Sequence, residues 1–316
     1  MASSRPLRRI AFLGPQGTFS EEALLSQGDL ADLDLRPTDT IAEAIDAAAS
    51  GEVDAAFVPV ENSIEGSVNE TMDGLIFTGD LLIQREVVHD VHLDVLGVPG
   101  ARVESVERLL SYPHASAQCR RFIAASMPRA AVEATSSTAE AARAAAAARR
   151  PELAALAPPI AAKLYGLEVL AHAVEDHPGN QTRFVLVAPG AVPPPSGHDR
   201  TSIVCFQHAD RPGSLHQILG QFAARSLNLT RIESRPTKQQ LGDYCFVIEV
   251  EGHVADEVLG DCLRELHMEL EAVKFLGSYP VEGAGASRLR EEIAVQRRAA
   301  DEWLASLRGL VEGTGR

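Results

Sequence analysis

Residues 9–27 read "RIAFLGPQGTFSEEALLSQ". The run "RIAFLG" (9–14) is short, apolar and closed by glycine, the pattern of a buried strand. Thr18 and Glu21 stand at capping-box spacing, so a helix begins at this threonine. Outward from it, "IAEAIDAAASG" (41–51) reads as a helix with a glycine stop and "DAAFVPVEN" (54–62) as a second buried strand. This strand–helix–strand order predicts right-handed crossovers and a parallel sheet.

The extended stretch "LLIQREVVHDVHLDVLGV" (81–98) carries the chain into a second lobe. There the rhythm repeats with "ESVERLLSYP", one helix "ASAQCRRFIAASM", the strand "AVEATS", an alanine-rich helix from Ser137 to Arg150, and the strand "LAALAP". "GNQTRFVLV" (179–187) then returns the chain: a polar run ends in Arg183 and a buried strand starts at Phe184. Two α/β lobes joined by a double crossover place ligands between them, at the carboxyl ends of strands. "APGAVPPPSGHD" (188–199) is the clearest linker, stiffened by Pro193 to Pro195. Beyond it the order is βαββαβ, a ferredoxin-like pattern. The expected division is 1–190 (lobe one about 8–82 and 174–190, lobe two about 83–173), linker 191–200, ferredoxin-like domain 201–281 and an amphipathic helical tail 282–316.

A formal net charge of −15 argues against nucleic acid or an anionic membrane as the main partner. An anionic substrate then needs a local cationic pocket. Cys119, Cys205, Cys245 and Cys262 form no CxxC pair, which suits a reducing cytosol, and the histidines show no metal-ligand spacing. No apolar run approaches the length of a membrane span, and "IAFLG" is too short for a signal peptide, so a cytoplasmic protein is expected.

"GPQGTFSEEA" lacks both the Walker ending and the Rossmann glycine spacing. Its free helix N–H groups suit a carboxylate, although an ordinary strand-to-helix turn capped by Thr18 explains it equally. In "VPVENSIEGSVNETMDGL" (58–75), the density of hydrogen-bonding groups at Glu61, Asn62 and Ser63 points to a site. In "SYPHASAQC" (111–119), Ser111 and Gln118 flank a helix start, while His114 is read as a surface residue without a role. Thr182 and Arg183 stand where the cleft should be, either to bind a carboxylate or as a structural ion pair beside a loop end. Downstream, "PGSL" opens a helix and "ESRP" ends a strand. Together they can hold an amino acid, or belong to a dimerising module with no ligand.

These stretches, five motifs in order over nearly the whole chain, resemble the prephenate dehydratase family. The resemblance implies two α/β lobes like those of periplasmic solute-binding proteins, with the active site in the cleft, plus a C-terminal ACT domain that senses phenylalanine. It implies a lyase in which Thr182 assists hydroxyl departure, Arg183 anchors a carboxylate and Phe184 supplies an apolar wall. Thr18, Glu61, Asn62, Ser63, Ser111 and Gln118 would bind the substrate. Gly213, Ser214, Leu215, Asn228, Leu229, Glu233, Ser234 and Arg235 would bind phenylalanine. Aromatisation drives the reaction, so neither cofactor nor metal is expected. The implied partners are prephenate, L-phenylalanine and a second copy of the chain, as homodimer or homotetramer. The chain departs from the family at Tyr112 and His114, where histidine and glutamine are common, and in "GSLH" (213–216) for "GALV". Arogenate is the alternative substrate, and a non-catalytic amino-acid sensor is the alternative from another class. With no chorismate mutase helices before Arg8, a bifunctional fusion is not expected.

Overall fold

The apolar runs become strands and the capped segments become helices. The computed structural model describes residues 6–208, 211–282, 295, 299 and 302–309. Lobe one contains β1 (Arg9–Leu13), α1 (Phe19–Leu25), β2 (Asp34–Thr38), α2 (Ile41–Ser50), β3 (Ala55–Asn62), β4 (Gly66–Ser67), α3 (Asn69–Phe77) and the start of the crossover, β5 (Leu81–Asp90). Thr18 accepts a hydrogen bond from Glu21 N, and the Glu21 carboxylate takes Gly17 N at 2.5 Å. The first turn of α1 is therefore closed from both sides. α2 is capped by Thr40 and stopped by Gly51 at φ 79°, a conformation that favours glycine.

Lobe two contains β6 (Asp94–Gly97), a 3₁₀ turn, β7 (Arg108–Ser111), α4 (Pro113–Gln118), α5 (Arg120–Ser126), β8 (Ala131–Ala134), α6 (Thr138–Ala148), β9 (Leu153–Ala157), α7 (Pro159–Tyr165) and β10 (Glu168–Ala171). β11 (Gln181–Pro189) returns to lobe one. The first sheet has the order β2-β1-β3-β11-β5, with β4 paired to β3, and the second β10-β6-β9-β7-β8. β1 is parallel to β2 and β3, and β7 to β8 and β9, whereas the returning β11 is antiparallel to β3. Ile10, Phe12, Leu24, Phe57, Phe184 and Leu186 share the first core. In the second, the alanines of α6 pack on Leu153, Ala155 and Ala157, small side chains allowing close approach.

Two expected elements are broken. The extended run 81–98 divides into β5 and β6, and the single helix after Pro113 divides into α4 and α5 at Cys119 (φ −120°, ψ 20°). Asp176 accounts for the second break. Its N–H donates to Gln118 O, and its carboxylate accepts from Arg121 N, capping α5 afresh.

Apart from Leu81–Glu86 at the start of β5, the described residues up to Pro189 form one compact unit; Leu81–Glu86 and the described residues from Gly190 onward form a second. It contains β12 (Asp199–Phe206), α8 (Ser214–Ala223), β13 (Leu229–Pro236), β14 (Tyr244–Glu251), α9 (Glu257–Glu269) and β15 (Ala272–Pro280). The order β13-β14-β12-β15, antiparallel throughout, is the expected ferredoxin-like sheet. Ile203, Ile218, Phe222, Ile248, Leu259 and Leu266 bury its helices on one face. Of the tail expected over 282–316, residues 302–308 are helical; most of the rest, like residues 1–5, lies outside the described residues. Among the described residues, no helix is long and apolar enough to cross a membrane.

Candidate active site

The paired ends of β3 and β11 build the site. Thr182 pairs with Asn62 and Arg183 with Glu61; the register then skips Val60, so that Phe184 pairs with Pro59. The strand thus begins at Gln181, two residues before Arg183. This corrects the reading of Thr182 and Arg183 as a loop end: their extended backbone pairs with β3.

Thr182 and Asn62 line a cavity of about 760 Å³ between the two lobes. Lobe one adds Thr18, Phe19, Glu65 and Val68; lobe two adds Tyr112, His114, Gln118 and Thr138; the crossovers add Val91 and Asn180. Asn62 sets the polarity of the hydroxyl. Its Oδ1 accepts from Ile64 N at 2.9 Å and Glu65 N at 3.0 Å, which fixes the orientation of the amide. Its Nδ2 then donates to Thr182 Oγ1 and to Asn180 Oδ1, each at 2.9 Å. Since Thr182 Oγ1 accepts from Asn62, its own proton remains for a group in the cavity.

The network continues across the cleft. Asn180 Nδ2 donates to Gln118 Oε1 at 3.2 Å, and Gln118 Nε2 donates to Glu65 Oε1 at 3.1 Å. Ser63 Oγ donates to Asn180 Oδ1 and accepts Gln181 N, holding the entry of β11. Asn180, only 3% exposed, and Glu65 are the main residues that sequence reasoning missed. Both lie inside motifs already singled out, but nothing in a polar run tells which members converge. His114, read as a bare surface histidine, also lines the cavity, with Nδ1 3.3 Å from Glu65 Oε2 and its ring stacked on Tyr112.

Other expected residues lie beside the cavity instead of lining it. Arg183 Nη2 binds Glu61 at 3.1 Å, the ion pair that the sequence left open. Phe184 is buried in the core, stacked on Phe57 with ring centroids 5.1 Å apart. Ser111 is buried and its hydroxyl donates to Tyr112 O. Among the described lining residues there is no Lys or Arg. The lining does include His114 and the first-turn residues Phe19, Ser20 and Thr138, whose N–H groups have no intrahelical acceptor. Cys119, at the end of α4, is no nucleophile: burial, aided by the charges of Glu175 and Asp176, pushes its thiol up to about 12.

In the ferredoxin-like unit, Gly213 (φ 91°) turns the chain into Ser214 and Leu215 of α8, and Leu229, preceded by Asn228, opens β13. Glu233 and Arg235 join an ion chain with Arg231, while the Ser234 side chain is on the opposite side of the strand. Arg231 pairs with Glu249 and Ile232 with the core residue Ile248. Arg231, Glu233 and Arg235 therefore lie on the sheet face away from α8, and this chain alone does not gather all eight expected residues around one point.

Residues 10–191 match the prephenate dehydratase family and residues 201–267 the ACT domain. A prephenate dehydratase of Amycolatopsis methanolica is 41% identical over 278 residues, covering 86% of this chain and 88% of that one. The crystal structure of a prephenate dehydratase from Arthrobacter aurescens in complex with L-Phe superposes with a TM-score of 0.81 at 38% identity, over 94% of this chain and 99% of that one. A third relative, GqqA, described as a novel type of quorum quenching acylase, gives 0.79 at 32% identity, over 88% of this chain and 99% of its own. With a family match over more than half its length and a Thr182–Asn62 pair facing the cleft between two lobes, the chain belongs to the prephenate dehydratase family.

Proposed function

We propose that the protein converts prephenate to phenylpyruvate, carbon dioxide and water, under control of L-phenylalanine bound through the ACT domain. The observation that carries this reading is the hydroxyl of Thr182, held as acceptor by Asn62 at the edge of the cavity, which leaves its own proton for a bound group. In the reaction, the bond from the ring to its carboxylate breaks and the electron pair enters the ring. The bond to the ring hydroxyl breaks in turn, and the departing oxygen takes a proton to become water. Thr182 donates to that oxygen as charge develops on it. Phe19, Val68 and Val91 give the apolar lining that favours neutral carbon dioxide over a carboxylate. Arg183 acts one step back: its bond to Glu61 locks β11 against β3 and so places Thr182. Asn62, Ser63, Asn180 and Gln118 hold the frame, and the two first-turn N–H groups that the cap at Thr18 leaves over, those of Phe19 and Ser20, are offered to a substrate carboxylate.

An acylase reading lacks support at this site. Such chemistry needs a nucleophile activated by a base. The partner of Thr182 is an amide donor, and the Cys119 thiol is held protonated.

Residues 1–190 are the proposed catalytic part and 201–281 the regulatory part. Because Glu233 and Arg235 lie on the opposite sheet face from Ser214, the phenylalanine site is best completed by a second copy, making a homo-oligomer. Four buried free thiols fit a reducing cytoplasm. The decisive experiment assays phenylpyruvate from prephenate, with arogenate alongside. Thr182→Ala is expected to lose about 10²- to 10³-fold in kcat with its fold intact, and Thr182→Ser to keep most of it. Near-normal turnover by Thr182→Ala would remove the assignment. Calorimetry with L-phenylalanine, paired with light scattering for the oligomer, tests the regulatory half.

A further inference from the structure

We propose that His114 binds a substrate carboxylate and makes the affinity of this chain for prephenate depend on pH. The inference rests on the prephenate reading above and deepens it. Prephenate is a dianion, and it must enter a protein of net charge −15. The described lining residues of the cavity include two acids, Asp39 and Glu65, but no Lys or Arg. The basic side chain among them is His114.

The geometry suits the role. His114 lies in the first turn of α4, its ring stacked on Tyr112 at 5.3 Å between centroids. Nδ1 is at ion-pair distance from Glu65 Oε2, 3.3 Å, and the other Glu65 oxygen takes Gln118 Nε2. Through Gln118 and Asn180, the ring is held on the same network as Thr182. With Nδ1 directed at Glu65, Nε2 is the ring's other polar atom. Unprotonated, Nε2 offers a lone pair that repels a carboxylate; protonated, it offers a charge-assisted donor. Of the titratable and charged groups around it, Glu65 from the turn after β3 is in polar contact with the ring and Tyr112 of its own segment stacks on it, while Asp39 lines the same cavity.

The test measures kcat and KM for prephenate between about pH 5.5 and 8.5 in the unmodified enzyme, His114→Gln and His114→Lys. The unmodified enzyme is expected to show KM rising about tenfold toward alkaline pH. His114→Gln should have a high KM that no longer follows pH, the effect falling on KM more than on kcat. His114→Lys should restore a low KM with little pH dependence. Turnover by His114→Gln with the KM and pH profile of the unmodified enzyme overturns the proposal. Absence of prephenate turnover in the unmodified enzyme overturns the dehydratase reading and this one with it.

Discussion

Asn62 decides which way the hydrogen bond at Thr182 runs. Two backbone N–H groups hold its carbonyl, so the amide nitrogen has to face the threonine. Asn62→Asp keeps the shape and the two backbone acceptor bonds but replaces the donor by a carboxylate oxygen. Thr182 would then donate its proton to that carboxylate instead of the substrate. A kcat loss of about 10²-fold is expected, comparable with deleting a transition-state donor. Asn62→Ala, which leaves the hydroxyl unoriented but uncommitted, should lose less. Steady-state kinetics beside a thermal melt checks this, and equal losses in the two variants would refute the polarity argument. Thr182, Asn62 and Gln118 were legible in the sequence because their motifs concentrate polar groups at strand and helix ends. The places of Arg183 and Phe184 were not, because the skip at Val60 resets the alternation of the paired strands. No local pattern in either strand announces it.

Elements, too, were legible where local chemistry sets them: the caps at Thr18, Thr40 and Ser137 all accept from the acidic residue three positions on. They failed where a distant segment intervenes, as at Cys119, where Asp176 splits the helix from across the lobe. The two crossovers are tied together in the same non-local way. His92 Nδ1 lies 2.8 Å from Glu175, whose second oxygen accepts Leu93 N, and His172 lies 2.9 Å from Asp94. Val174 N donates to Leu93 O between them. The hydrogen bond to Glu175, outweighing desolvation, raises the pKa of His92 above the ordinary 6.5. A raised folded-state value means that the bond stabilises fully below the unfolded value and fades as pH climbs through the folded one. His92→Gln should therefore lower Tm most near about pH 5.5 and progressively less toward about pH 8.5, by a modest amount because the ring is half exposed. Melts across that range check it; a difference that grows with pH would contradict the sign.

At the scale of the molecule, the proline-rich linker invites a cut near residue 190, but the compact units are not divided in that simple way. Leu81–Glu86, in the middle of the first 190 residues, belongs with the ACT unit. Gly277 lies so close to Ile83 that a Cβ there would come within 2.6 Å of its carbonyl oxygen. Glu86, 1% exposed, bonds Arg200 and accepts Glu282 N. Arg200 also lies 3.7 Å from Glu249, which lies 3.5 Å from Arg231, which bonds Glu233 at 2.7 Å. A chain of alternating charge thus runs from β5 across three strands to the "ESRP" segment. Buried charges of this kind are costly when a shared partner is removed. Arg200→Met takes the guanidinium from two buried carboxylates, at an expected cost of about 3 kcal/mol, or roughly 6–12 °C in Tm. Arg200→Met with Glu86→Gln should recover part of that loss, because one buried charge goes with its partner. A fragment ending at residue 190 would bare Leu81 and Ile83 and strip Glu86 of the same guanidinium, so it should melt below the full chain even though the family match ends at 191. Calorimetry on the four proteins decides the matter: if Arg200→Met melts with the unmodified chain, the charge chain contributes nothing net, and if the fragment does, Leu81–Glu86 does not depend on the ACT unit for its stability.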